Sequence, residues 1–118
     1  MQPTYPLFVF EKDDRSIRIV ESAGSLLHWH EAIDIENGEY EFWDATGSGV
    51  SVTIVDQGVK SIDLCAEAFP LKDAFISYAD SLRLQGVDFE GAPIEVWQRI
   101  QIALRNGPGK RGWLSNLF

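Results

Sequence analysis

The chain has little cysteine and no long hydrophobic run. Cys65 is the single cysteine among 118 residues, so no disulfide can form within the chain, and such sparse use of cysteine is typical of a reducing compartment. No apolar stretch approaches the roughly 18 residues needed to span a bilayer. The opening residues carry no positive charge ahead of their short apolar run at residues 7–10, which predicts that they are not a signal peptide. We therefore expect a cytoplasmic protein that does not bind membranes.

Positive charge is also scarce. The chain has 10 Lys and Arg against 18 Asp and Glu, which gives a net charge of −8, and residues 19–59 contain no Lys or Arg at all. A chain without a basic stripe is repelled by a phosphate backbone, which excludes nucleic acid as a ligand. Such a charge is typical either of simple solubility or of a protein whose partner is basic. The basic residues concentrate at the other end, because no acid follows Glu95.

Length and composition predict one folded domain over residues 1–118. Hydrophobic residues make up 45% of the chain and aromatic residues 12%, and a chain of this size buries roughly two-thirds of its unfolded surface. No repeat, low-complexity tract or linker divides it. Residues 107–118 form a basic and aromatic C-terminal tail, which we expect to pack on the domain or on a partner.

Alternation of apolar and polar residues predicts five strands. Residues 7–10 and 16–20 flank a polar turn and are typical of a β-hairpin. Residues 39–44, 50–55 and 61–65 alternate in the same way and are joined by short polar turns, which predicts an antiparallel meander.

Other segments have helical spacing. Ser22 and Ser25 are candidate N-caps for a short helix that ends before Asp34. A longer amphipathic helix follows Pro70 and is expected to end at Gly86, and a second one begins at Pro93. Because the strands come first and the long helices last, the sequence predicts an α+β fold: an antiparallel sheet of about five strands, with the two C-terminal helices packed on one face.

The most unusual stretch is residues 31–44. It contains six carboxylates and no basic residue: Glu31, Asp34, Glu36, Glu39, Glu41 and Asp44. Carboxylates that perform acid–base catalysis must converge in a pocket, whereas these are spread along a turn and a strand. We consider three interpretations: a solvated face, a docking surface for a cationic partner, and a catalytic site. For docking, Trp43 would be the anchor, since it shares a strand face with Glu39 and Glu41 and an aromatic residue within a charged rim is common at interfaces. Trp43 would alternatively lie under a neighbouring helix.

No other cluster predicts a catalytic or metal site. His28 and His30 are two apart, so on a helix they cannot bind the same ion; His30 and Asp34 have suitable spacing, but two histidines are too few for a convincing zinc site. Cys65 has no basic neighbour and is expected to be a buried structural residue. No nucleophile motif or phosphate-binding loop is present. We therefore predict a protein that is not an enzyme and uses no cofactor or metal.

A resemblance adds to this interpretation. Residues 31–40 read EAIDIENGEY, and residues 7–22 read LFVFEKDDRSIRIVES. Together they resemble a group of short uncharacterised bacterial proteins that also begin with a hairpin and carry an E-x-I-D-[IV]-E-N-G-E-Y segment. In size, acidity and lack of catalytic residues, the whole chain is loosely similar to the immunity proteins of bacterial contact-dependent growth inhibition. That similarity implies a cytoplasmic protein that binds and neutralises a toxin.

The sequence thus leads to one main hypothesis and two alternatives. The main hypothesis is an acidic immunity protein whose residues 31–44 cover the basic active site of a cognate toxin domain such as a nuclease. The first alternative is a small metal- or carboxylate-dependent enzyme, in which His30 and two carboxylates would converge in a pocket. The second is a structural or regulatory homodimer that associates through a sheet edge or through the C-terminal tail.

Overall fold

The computed structural model describes residues 2–65 and 70–106, with Trp29 described for its backbone alone. The predicted basic and aromatic tail at residues 107–118 lies outside the described residues. The described elements are five strands, a 3-10 turn and four helical segments, in this order: β1 (Leu7–Glu11), β2 (Ser16–Val20), the 3-10 turn (Ala23–Ser25), α1 (Leu26–Trp29), α2 (Ala32–Glu36), β3 (Tyr40–Trp43), β4 (Gly49–Val55), β5 (Gly58–Leu64), α3 (Leu71–Ser81) and α4 (Pro93–Asn106).

The strands form one antiparallel sheet in the order β2-β1-β3-β4-β5. The N-terminal hairpin and the meander are both confirmed, and they join because β1 pairs with β3, with Val9 opposite Phe42 and Glu11 opposite Tyr40. The alternating pattern explains the two-sided sheet, since successive side chains of a strand point to opposite faces. The α+β architecture predicted from the sequence is therefore confirmed.

The two long helices cover one face of this sheet, as predicted. We call it the α3/α4 face. Its core is largely aromatic, and Phe8 meets Phe75 edge-to-face with ring centres 5.4 Å apart. The buried residues of this core come from both layers: Phe8, Phe10, Ile17, Trp43, Leu71, Ala74, Phe75, Val96 and Ile100.

The short segments α1 and α2 lie over the opposite face, which we call the α1/α2 face. This core is aliphatic apart from one ring, and Leu26 of α1 and Ile35 of α2 complete it. Its buried residues are Leu7, Val9, Val20, Leu26, Ile35, Phe42, Val50 and Ile62. Helices of four and five residues are not stable alone, so α1 and α2 depend on these contacts with the sheet.

The first predicted helix differs from the structure. It is split into α1 and α2 because His30 and Glu31 are both extended, with ψ of 134° and 140°. The prediction that the helix ends before Asp34 is wrong, since Asp34 lies inside α2. The extended link allows the His30 ring to enter the sheet face, where it meets Tyr40 with ring centres 4.7 Å apart.

The end of α3 also differs. The helix stops at Ser81 rather than near Gly86, because Arg83 adopts the left-handed conformation with φ of 57°. The Leu84 and Arg83 amides then donate to the Ala79 and Asp80 carbonyls, each at 3.0 Å. This is the pair of bonds that closes a Schellman motif, a position where glycine is the usual residue. Among the described helices, none is long and apolar enough to cross a membrane.

Candidate protein-binding surface

An exposed surface surrounds α2. The buried Ile35 fixes this helix to the sheet, which leaves the other side of the helix in solvent. On that side Ile33 is 61% exposed, the largest exposure among the exposed large hydrophobic residues. Glu31 and Glu36 flank it and are also exposed. An isoleucine held in water between carboxylates is an apolar centre with a charged rim, which is the composition of many protein interfaces.

A cavity of about 580 Å³ lies beside these residues. Leu27 and Ile33 provide apolar lining, while Glu31 and Glu36 provide carboxylates; the full lining is Leu27, His30, Glu31, Ala32, Ile33, Glu36 and Gln57. We call it the α2 cavity. A long cationic side chain suits such a site, because its methylene stem packs on apolar groups while its charged end reaches the carboxylates.

Asp34 and Glu39 form a second pair of carboxylates close by. The chain reverses between them, and the Glu39 amide donates to the Asp34 carbonyl at 3.1 Å. A hydrogen bond between their side chains raises the pKa of Glu39, and desolvation and the charges of Asp34, Asp13 and Glu11 raise it further. A carboxylate whose pKa is raised by neighbouring negative charges favours a cation that approaches it.

Sequence reasoning missed two members of this group, Glu11 and Asp13. The pairing of β1 with β3 brings the hairpin turn next to the start of β3, where the Lys12 amide donates to the Glu39 carbonyl at 3.1 Å. Desolvation raises the pKa of Glu11, and the charges of its acidic neighbours raise it further, although Arg18 opposes them. Asp13 lies in the polar turn of the predicted hairpin, to which the sequence assigned no further role. The acidic residues of the hairpin turn are a signal in the sequence, but the position of that turn next to Glu39 depends on strand order.

The predicted site residues of β3 do not lie on this surface. Glu41 pairs with Phe10 of the α3/α4 core and makes an ion pair with Lys12 at 3.1 Å. Trp43 is 1% exposed and packs in the α3/α4 core. Trp43 as an exposed anchor is therefore wrong, and its alternative position under a helix is the observed one. The physical reason is that the face opposite Phe42 is covered by α3 and α4 rather than by water.

Asp44 is also not a surface residue, since it is 2% exposed. Its Oδ2 accepts from the Thr4 amide at 2.9 Å, and its Oδ1 accepts from the Thr46 amide, the Thr46 hydroxyl and the Ser48 amide at 3.0, 2.6 and 3.1 Å. Burial acts to raise the pKa of Asp44, but these hydrogen bonds outweigh it and lower the pKa overall. The expectation that Asp44 meets a partner is wrong, because it stabilises the β3–β4 turn and holds the N-terminal segment.

His30 lines the α2 cavity but is 7% exposed. Its Nδ1 lies 3.1 Å from the Leu26 carbonyl oxygen, and because a carbonyl can only accept, Nδ1 carries the proton and Nε2 is the acceptor in the neutral ring. Burial is the main cause that lowers the pKa of His30; the bond to Leu26 opposes this and the charge of Arg18 adds to it. His30 is therefore neutral near pH 7.

The residues around the α2 cavity bear on the enzyme alternative. Within residues 2–65 and 70–106, no group of three His, Cys, Asp or Glu side chains is placed to hold a metal ion. His30, Glu31 and Glu36 do line one cavity, as the enzyme alternative requires. However, both carboxylates are exposed to water, whereas catalytic carboxylate pairs work because their surroundings differ. Cys65 is half-buried at the end of β5.

Four of the seven predicted binding residues thus lie together. We define the α2 surface as Glu31, Ile33, Asp34, Glu36 and Glu39, in which Ile33 takes the central position that the sequence assigned to Trp43. Comparisons of the chain with protein-family models, with curated proteins and with solved structures found no match.

Proposed function

We propose that the chain is a non-catalytic protein that binds a cationic protein partner through the α2 surface. The observation that carries this proposal is Ile33, 61% exposed between the exposed carboxylates of Glu31 and Glu36. Burying such a side chain at an interface favours association by roughly 25 cal/mol per Å² of apolar area. The surrounding charges contribute mainly to the rate and the choice of partner.

Charge supports a basic partner in particular. The net charge of the chain is −8, and no Lys or Arg occurs in residues 19–59. Lys12, which lies between Glu11 and Asp13 in the hairpin turn, is engaged in an ion pair with Glu41. Complementary charge raises association rates well above the ~10⁵–10⁶ M⁻¹s⁻¹ of uncharged pairs, so a basic partner would be captured fast and in a salt-dependent way.

The finer proposal is that the partner is a bacterial toxin domain and that the chain is its immunity protein. A nuclease active site is basic because it binds phosphates, so an acidic surface with an apolar centre is suited to cover it. In this mechanism the carboxylates occupy the positions of substrate phosphates, Ile33 excludes water at the centre of the contact, and substrate cannot enter. The chain itself performs no reaction.

The test begins with capture of the partner by the purified chain from the source bacterium, followed by purified-component kinetics at low salt and at ~0.5 M salt, where surface attraction is mostly screened. The test variant is Glu31→Lys/Glu36→Lys, and the control is Asp73→Lys/Asp80→Lys, exposed acids of α3. Both variants change the net charge by the same amount. We expect the first to reduce the association rate by about tenfold or more and the second to leave it nearly unchanged.

A further readout separates toxin neutralisation from binding alone. One equivalent of the chain should abolish the partner's enzymatic activity, and Ile33→Asp should restore it. Equal effects of the two charge-reversal variants would contradict the α2 surface, since the interaction would then depend on total charge only. Tight binding without loss of the partner's activity would contradict the immunity function while leaving protein binding intact.

A small hydrolytic enzyme is the second candidate, because His30 lines the α2 cavity together with Glu31 and Glu36. In that case Nε2 would act as a general base, as the neutral tautomer allows. Nitrophenyl acetate and nitrophenyl phosphate are suitable probes. Turnover by the wild-type chain that His30→Gln abolishes would favour this candidate over binding.

A further inference from the structure

One edge of the sheet, formed by β5, has no strand partner among residues 2–65 and 70–106. The strand β5 is last in the order β2-β1-β3-β4-β5 and has seven residues, Gly58–Leu64. Proteins usually protect such an edge with prolines, short strands or several charges, because its unpaired amides can bind another chain. β5 contains no proline and two charged side chains, Lys60 and Asp63.

The outward amides of β5 can be identified from one hydrogen bond. The Cys65 amide donates to the Gly49 carbonyl of β4 at 2.7 Å. Successive residues of a strand direct their amides to opposite edges, so Asp63 also faces β4 while Ile62 and Leu64 face away. Among residues 2–65 and 70–106, no strand pairs with β5 on that outer side.

A cavity of about 570 Å³ runs directly beside this edge. Five consecutive residues of β5, numbers 59–63, line one side of it. The opposite wall comes from the N-terminal segment and the 3-10 turn; the lining outside β5 is Gln2, Tyr5, Ala23, Gly24 and Leu27. We call it the β5 cavity. Binding by strand addition needs an unpaired edge and neighbouring pockets for alternate side chains, and both are present here.

The two cavities are neighbours, since Leu27 lines both. The β5 cavity has the apolar Tyr5, Val59 and Ile62 beside the charged Lys60 and Asp63, and the α2 cavity has the acidic Glu31 and Glu36. An extended segment that carries one apolar and one basic residue fits this arrangement, with its basic residue at the α2 cavity. A second copy of the chain fits less well, because two molecules of net charge −8 repel each other.

We propose that an extended segment of the cationic partner adds to β5 as a sixth strand, places an apolar side chain in the β5 cavity and directs a Lys or Arg to Glu31 and Glu36. This inference rests on the proposed function and specifies how the partner is held. The segment would exchange hydrogen bonds with the outward amides of Ile62 and Leu64. Backbone bonds then supply affinity, and the two cavities supply sequence preference.

The probe is a displayed library of random twelve-residue peptides, selected on the full chain at low salt. We expect enriched peptides to alternate apolar and polar residues and to carry a basic residue. Amide hydrogen exchange is then measured with one such peptide. In the chain alone, the Ile62 and Leu64 amides should exchange fast and the Asp63 amide slowly; with peptide bound, all three should be slow.

The blocking variant is Gly24→Trp, which fills the β5 cavity. A Cβ at Gly24 has no neighbour closer than 4.0 Å, so the side chain enters open space. The matched control is Gln98→Trp, an equally neutral change at an exposed residue of α4. We expect Gly24→Trp to weaken peptide binding by about tenfold or more, as loss of an anchor pocket does, and the control to change it less than about twofold.

Each alternative outcome has a distinct meaning. Slow exchange of the Ile62 and Leu64 amides in the chain alone would overturn strand addition, because the edge would already be covered. Basic peptides that bind Gly24→Trp normally but lose affinity for Glu31→Lys/Glu36→Lys would also overturn it while leaving the proposed function intact. Failure to enrich any basic peptide would overturn both. Dimerisation of the chain with protected β5 amides would show that a second copy occupies the edge instead.

Discussion

The two faces of the sheet are built differently. The α3/α4 face lies under helices of 11 and 14 residues, and its core is a continuous aromatic cluster in which Tyr78 stacks on Trp97 at 6.1 Å between ring centres. The α1/α2 face lies under helices of four and five residues joined by an extended link, and it carries both large cavities described above. The same sheet therefore has one face that two long helices cover and one that only short segments cover.

We therefore assign most of the stability to the α3/α4 face and the proposed binding to the α1/α2 face. The long helices α3 and α4 bury a continuous apolar stripe against the sheet and provide most of the packing. The short helices α1 and α2 depend on their contacts with the sheet, because helices of that length do not form alone. The short segments on the other face leave Ile33, Glu31 and Glu36 in solvent beside the α2 cavity. Substitutions on one face at a time test this division.

The largest effect is expected on the α3/α4 face. Phe75 is buried and packs on Phe8, so Phe75→Ala should lower the free energy of unfolding by roughly 3–5 kcal/mol. Urea unfolding measures this change. Ile102→Ala is the control, since Ile102 is 53% exposed on α4 and should change stability by less than about 0.5 kcal/mol. A loss at Phe75 no greater than that at Ile102 would contradict the assignment of stability to this face.

On the α1/α2 face the expected effect is smaller and more local. Ile35→Ala should lower the free energy of unfolding by about 2 kcal/mol, the lower end for a buried isoleucine, since α2 is short and can adjust. Amide exchange should accelerate in α2 more than in α3. Ile33→Ala is the matched control on the same helix, and it should leave stability nearly unchanged while weakening partner binding. A larger loss of stability in Ile33→Ala than in Ile35→Ala would contradict the observed burial of Ile35 and exposure of Ile33.

Asp44 lies at the β3–β4 turn and belongs to neither face. Asp44→Asn should cost roughly 1–2 kcal/mol, because an amide cannot accept all four of the hydrogen bonds that the carboxylate receives. The folded pKa of Asp44 is lowered, so its stabilisation is present above the ordinary value of 3.8 and is lost as the pH falls through the folded pKa. Unfolding measured against pH should therefore show an acid-dependent loss that Asp44→Asn removes.

His30 predicts a second pH dependence, on the α1/α2 face. Its folded pKa lies below the ordinary 6.5, so the unfolded state binds a proton first as the pH falls. Stability should consequently decrease from about pH 6.5 downward until the folded pKa is reached, and then level. His30→Gln, which retains a donor for the Leu26 carbonyl, should flatten this part of the curve. An unchanged slope in that variant would show that His30 is not the group responsible.

The smallest effect is expected at Glu39. Its raised pKa means that the ionised folded state is disfavoured, so its contribution is present at low pH and is lost as the pH rises through the folded pKa. Glu39→Gln keeps a donor for Asp34 and removes one charge. We expect a slight rise in the thermal midpoint at neutral pH together with slower association with a basic partner. A fall in the midpoint would indicate that the carboxylate has a stabilising contact.

Much of the fold follows from local periodicity. Apolar residues recur every second residue in the hairpin and the meander, and every three to four residues in both long helices. These spacings are visible within a short segment of the sequence. Periodicity also placed Trp43 and Phe42 on opposite faces. Periodicity does not show which layer covers each face. For that reason two positions stayed open for Trp43, an exposed anchor or a place under a helix, and the second is observed.

The candidate site depended still more on tertiary structure. Asp44 has the same residue type as Asp34, but the N-terminal segment at Thr4 closes over it, 40 positions away in sequence. Glu11 and Asp13 join Glu39 only because β1 is the neighbour of β3. The break between α1 and α2 arises from burial of His30, which no helical propensity records. The acidic composition of residues 31–44 was therefore predictable. The sequence did not show which carboxylates lie on the α2 surface, that Glu41 makes an ion pair, or that Asp44 is buried in the β3–β4 turn.

The most direct test of the account is a comparison of amide hydrogen exchange in the chain alone and in complex with its captured partner. Binding through the α1/α2 face predicts added protection in α2 and at the Glu39 amide, with α3 and α4 unchanged. Added protection confined to α3 and α4, with α2 unaltered, would contradict the assignment of binding to the α1/α2 face.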